Sequence, residues 1–127
     1  MKKITQNNLN EFIKYYHGFH DSYISNINYD VYESKIELLI DVCWSNIPLL
    51  RDNNTYETNK TKIKMVLINI KQFNIKEIFS YDYINEIFIK YIKLNNEELI
   101  CFADDLVEPL IYVVCESILY EDLNKKW

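Results

Sequence analysis

Two histidines and an aspartate, His17, His20 and Asp21, stand within the stretch "YYHGFHDSYISNIN", Tyr15 to Asn28, which also holds the only glycine of the sequence, Gly18. Two imidazoles and a carboxylate could ligate a transition metal, and a histidine oriented by a carboxylate could serve as the base of a hydrolase. The spacing argues against both. Histidines at i, i+3 share a face only on a continuous helix, and Gly18 lies between them, where a helix is expected to stop. No nucleophile motif of the G-x-S-x-G kind accompanies them, and one glycine cannot build a Walker or Rossmann phosphate loop. The expectation is no catalytic residue, no metal and no cofactor. Phe19, His20, Asp21 and Ser22 are instead expected to form a structural joint, with Asp21 accepting from turn amides and the His20 ring packed beside Phe19. A small hydrolase or metal-dependent enzyme using His17, His20 and Asp21 is the alternative.

The "ADDLVE" segment offers oxygen ligands in Asp104, Asp105 and Glu108, but it lacks the spaced loop and glycine of an EF-hand. Three cysteines, Cys43, Cys101 and Cys115, lie far apart with no C-x-x-C spacing, which points to free thiols in apolar surroundings.

The elements around these residues read as a helix followed by strands. Leu9, Phe12, Ile13 and Tyr16 follow the i, i+3, i+4, i+7 spacing of one helical face, with Asn8 and Glu11 placed as a capping box. The helix ends near His17, and Gly18 suits the left-handed residue that follows. The period then changes to two. Ile36, Leu38, Ile40, Val42 and Trp44 alternate with Lys35, Glu37, Leu39, Asp41 and Cys43, as in a half-buried strand. "YISNINYD" pairs with it as a hairpin through "VYES", with Ile24 out of phase at a bulge. Residues 45–59 read as a long loop, and "TKIKMVLINIKQF" as a third strand. Residues 74–85 fit a helical turn or an irregular crossover equally well. "EIFIKYIKL", "NN" and "EELICFADD" form a second hairpin, because asparagine tolerates the positive φ of tight turns. "LIYVVCESILY" closes the series. The fold class is therefore α+β, mainly β: one domain over residues 1–127, with an N-terminal helix packed on an antiparallel sheet of about six strands, shaped as a sandwich or open barrel.

The 127 residues are 49% hydrophobic and 26% charged, a globular balance without a bilayer-length apolar run. "MKKITQNN" leads into polar residues instead of an apolar stretch, so the expected location is the cytoplasm, with no membrane contact. Charge is segregated along the chain. From Lys60 to Lys93 seven lysines against three carboxylates leave +4, whereas Asn95 to Asn124 carries eight carboxylates and no lysine or arginine. Such a stretch repels nucleic acid and would steer a basic protein, with Glu97, Glu98, Asp104, Asp105 and Glu108 as the expected contact residues at one end of the sheet. The eleven tyrosines also allow a small barrel around an apolar ligand.

The block "FHDSYISNINYD" resembles the opening of small bacterial proteins that begin with a short helix, then FHD and a small residue, then an alternating strand. These include immunity proteins of toxin competition systems. Phe19, His20, Asp21 and Ser22 carry the likeness. It implies a non-enzymatic protein that binds a partner, such as a basic toxin domain.

Overall fold

The computed structural model describes residues 1–43, 61–76, 83–84, 86–105 and 107–123. Strand β1 (Lys2–Lys3) leads into helix α1 (Leu9–Tyr15). Phe12 and Tyr16 on its apolar face are buried, and Leu9 and Ile13 pack against the same core. The helix start differs from the capping box expected at Asn8 and Glu11: Asn8 holds the N-cap position, but its side chain caps no helix amide. The reciprocal exchange sits one turn earlier. Asn8 N donates to Thr5 Oγ1 at 3.3 Å, and Thr5 N donates to Asn8 Oδ1 at 2.8 Å. Thr5 and Asn8 have the same i, i+3 spacing as a capping box, so they satisfy these donors before Glu11 is needed. Asn8 Nδ2 also donates to Lys3 O at 2.9 Å, which ties the helix start to β1.

Beyond Tyr16 the backbone turns left-handed. Gly18 has φ 65°, as expected, and His17 (52°), Phe19 (61°) and Asp21 (60°) share the sign. Each non-glycine residue in this region costs roughly 1–2 kcal/mol. Burial of Phe19 offsets that cost, because its ring is 0% exposed and packs 5.5 Å from Phe12 and 5.3 Å from Tyr16.

Six long strands occupy the expected places: β2 (Ser22–Asp30), β3 (Lys35–Val42), β4 (Thr61–Ile75), β6 (Phe88–Leu94), β7 (Glu97–Ala103) and β8 (Ile111–Asp122). The two-residue pieces β1 and β5 (Tyr83–Ile84) complete an eight-stranded antiparallel sheet. On β3 the alternation is realised: Ile36, Leu38, Ile40 and Val42 are buried, while the residues between them are half-buried. The β2–β3 register slips between Ile24 and Asn26, at the expected bulge. Asn95 (φ 51°) and Asn96 (φ 65°) make the β6–β7 turn. In the ambiguous region, β4 runs on to Ile75 and β5 takes residues 83 and 84. The expected loop over 45–59 lies outside the described residues.

The strand order β5-β2-β3-β4-β8-β7-β6 places β5 and β6 on opposite edges. Seven flat strands would hold those edges roughly 29 Å apart. Yet β5 ends at Ile84 and β6 begins at Phe88, a span of chain that reaches no more than about 14 Å. The sheet must therefore curl into an open barrel. Ile87 N donates to Gly18 O at 2.9 Å, so the left-handed joint is bonded to the chain that bridges the edges. Ile36, Leu38 and Ile40 from β3, Ile63, Met65 and Leu67 from β4, and Ile111, Val113 and Ile118 from β8 form the core with the rings of α1 and the joint. On the outer face, long charged side chains cross between strands, with Lys62 3.5 Å from Asp41 and Lys64 3.9 Å from Glu37.

Candidate partner-binding surface

The four residues of the joint divide by side. Phe19 and Ser22 are fully buried, whereas the side chains of His20 and Asp21 are 63% and 53% exposed and approach each other at 3.5 Å. The His20 and Asp21 side chains thus lie on the solvent side of the joint and the Phe19 ring on its core side. The joint is held by backbone bonds, with Phe19 N on Tyr16 O and His20 N on His17 O, and by the Phe19 ring. The Ser22 hydroxyl is buried with no hydrogen-bond partner among the described residues. Among the described residues no three histidine, cysteine or acidic side chains are arranged to hold a metal.

The acidic residues expected to share one end of the sheet are separated. Glu97 and Glu98 open β7, and Asp104 follows its other end, roughly 20 Å away at strand rise. Adjacency in sequence became separation in space because one strand runs between them. Asp104 is also not a surface charge. It is 7% exposed, and its Oδ1 accepts from Leu110 N at 2.9 Å and Ile111 N at 3.0 Å. Burial pushes its carboxyl above the usual range, partly opposed by these amides. Asp105 Oδ1 accepts from Val107 N at 2.8 Å and Glu108 N at 3.4 Å, so both aspartates of "ADDLVE" shape the turn into β8. The basic and acidic stretches meet across strands. Lys71 on β4 lies 3.2 Å from Glu116 on β8 and 3.8 Å from Glu97 on β7. Glu116, which also accepts from Asn69 Nδ2 at 2.7 Å, is held below the usual carboxyl range by Asn69 and then by Lys71.

A different set of side chains is displayed at the end of the barrel where β2 turns into β3. Tyr32 is 100% exposed and Val31 69% exposed in the turn itself. Behind them the rings of Tyr29 and Phe73 lie 4.7 Å apart, both substantially open to solvent. Phe73 pairs with Val113 near the start of β8, and Lys76 N donates to Leu110 O, so the exposed Val107 and the carboxylates of Asp105 and Glu108 belong to the same end. Asp30 and Glu33 flank the turn. Sequence reasoning passed over these apolar residues because it counted "VYES" only as a turn. The available signal was a valine and a tyrosine where turns ordinarily place small polar residues.

The cysteines are free: Cys115 is buried, and Cys43 and Cys101 are half-buried. Compared with known protein families and with curated proteins, the sequence matches none.

Proposed function

We propose that this chain is a non-enzymatic, cytoplasmic binding protein that neutralises a protein partner by covering it, in the manner of an immunity protein. Its contact surface is the hairpin end of the barrel. The observation that carries the reading is Tyr32, fully exposed at the turn tip beside the exposed Val31. Tyrosine and phenylalanine anchor interface centres, and an apolar tip with no packing role in the monomer is otherwise a solubility cost. Asp30 flanks this turn and Asp105 and Glu108 belong to the same end, carboxylates that suit a basic partner such as a toxin domain, while Glu33 is paired with Lys35 at 2.8 Å. The ligand-carrier alternative is less well supported, because Phe12, Tyr16, Phe19 and Phe102 pack into the core that a carrier would leave open. The test is co-expression with the product of the adjacent gene, then binding kinetics with wild type and a Val31→Ser/Tyr32→Ser variant. At least a tenfold loss of affinity with unchanged folding is expected. Wild-type affinity in the variant would remove the hairpin end from the contact.

A further inference from the structure

The two neighbours of β4 cover different lengths of it. β8 pairs with it as far as Ile75, whereas β3 pairs with it only from Thr61 to Ile68. The last contact on the β3 side is Ile70 N donating to Ser34 O at 3.1 Å. Lys76 N donates to Leu110 O at 2.7 Å, so Lys76 and, by the alternation of an antiparallel ladder, Asn74 and Gln72 turn their backbone groups towards β8. Phe73 and Ile75 turn theirs the other way, to an edge where no strand among the described residues pairs with them. The amide and carbonyl of both residues therefore stand open. Their side chains lie on the core side of the sheet, opposite Val113 and Ile111, whereas Gln72, Asn74 and Lys76 are exposed on the outer side. No proline or inward-facing charge guards the edge from Gln72 to Ile75. Apolar exposure gathers at the same end: Tyr29, Val31, Tyr32, Phe73 and Val107 are five of the nine large hydrophobic residues most open to solvent among the described residues.

We propose that this edge pairs with the same edge of a second copy of the chain, antiparallel about a two-fold axis at Asn74. In that register Phe73 of each copy stands opposite Ile75 of the other. Each such pair exchanges both of its N–H and C=O bonds, so every open ladder group of the segment is satisfied. An axis at Phe73 would instead set Ile75 against Lys71, which sits in the bulge between Ile70 and Gln72, and would leave groups open. The side chains fit the same register. On the core side an aromatic ring meets a β-branched residue twice, and on the outer side Asn74 meets Asn74, whose amides both donate and accept, while Gln72 meets Lys76. No like charges stand opposite each other. Residues 72–76 are thus complementary to themselves in side chains as well as in backbone, which commits the edge to a second copy, and the contact closes on itself as a two-fold interface. Val31 and Tyr32 precede Ser34 and lie outside the paired segment, so the inference stands apart from the partner-binding reading.

The experiment is analytical sedimentation of the isolated protein over a concentration series at physiological ionic strength, with amide hydrogen exchange at both ends of the series. The expected result is a reversible equilibrium between monomer and dimer, with the Phe73 and Ile75 amides protected in the dimer and exchanging rapidly on dilution. Asn74→Asp changes an exposed side chain and sets two carboxylates face to face across the axis, so it should weaken the dimer by on the order of fivefold. Asn74→Lys should do the same. Mixing the two variants should restore dimerisation beyond either alone, because opposite charges at one position help only where that position meets its own copy. A monomer at every concentration would leave the edge to an extended segment of another protein and overturn the proposal. A dimer indifferent to both variants, or a mixture no tighter than the separate variants, would overturn it as well. These measurements use no partner, so the outcome of the Val31→Ser/Tyr32→Ser binding test does not bear on them.

Discussion

Replacing Asp104 by alanine should destabilise the fold although the residue stands in an acidic surface stretch. Its carboxylate takes two amide donors, Leu110 N and Ile111 N, and Ile111 is fully buried. Alanine would leave both donors without an acceptor. Leu110 is half-buried, so water can replace part of its bond, whereas the Ile111 amide is left dry. An orphaned buried donor costs about 1–3 kcal/mol, and bonds to a charged acceptor are at the stronger end. Release of a desolvated carboxylate returns part of this, so the net loss should be about 2 kcal/mol. Asparagine keeps an oxygen at the same place and should stay within about 1 kcal/mol of wild type. Urea unfolding at pH 7 measures both variants; the midpoint should fall for Asp104→Ala with an unchanged slope. The pH dependence gives a second check. The folded carboxyl titrates above its ordinary value of 3.8, so between that value and the raised one the native state holds a proton that the unfolded chain has released. Stability contributed by this group is therefore present below 3.8 and declines as pH rises through the folded value. Asp104→Asn should remove that decline. A wild-type midpoint for Asp104→Ala, or asparagine as damaging as alanine, would refute the assigned role.

Two further outcomes follow from the joint and the core. Gly18→Ala must adopt φ +65° with a Cβ 3.3 Å from Glu86 Cγ, so a loss of roughly 1–2 kcal/mol is expected in thermal unfolding. The Cys115 thiol is buried and pushed up to about 12 by that burial, so brief alkylation of the native protein at pH 8 should label Cys43 and Cys101 first and leave Cys115 intact by mass spectrometry.

The local grammar of this chain was readable where one segment decides its own conformation. The alternation over Lys35–Val42, the bulge near Ile24, the paired asparagines at 95 and 96 and the helix stop at Gly18 all depend on neighbours in sequence. The shape between sandwich and open barrel was not, because it depends on β5 and β6 lying at opposite edges of the sheet. Strand order also decides which carboxylates meet which lysines. Periodicity places Glu116 on the outer face of β8 but cannot say that Lys71 of β4 lies across from it. Asp104 was misread because composition counts charges without showing which amides they satisfy. Likewise, Thr5 and Asn8 form the exchange that Asn8 and Glu11 were expected to make, since both pairs carry suitable groups at the same spacing.

The central place of β8 affects how the protein is made. β4 is complete at Ile75, but the strand that covers its second edge ends only at Asp122. At a synthesis rate of about 5–20 residues per second, some 50 residues of delay leave that edge uncovered for roughly 2–10 s. During this interval "IKMVLINI" is an apolar, β-prone strand with an open ladder, the kind of segment that pairs with other chains. The β6–β7 hairpin can form meanwhile from its own turn, but it has no sheet to join. Arrival of β8 unites β4, β7 and β1 in one step. Damage to residues 111–122 should consequently appear first as lost yield and aggregation during expression, before any weakened binding can be measured.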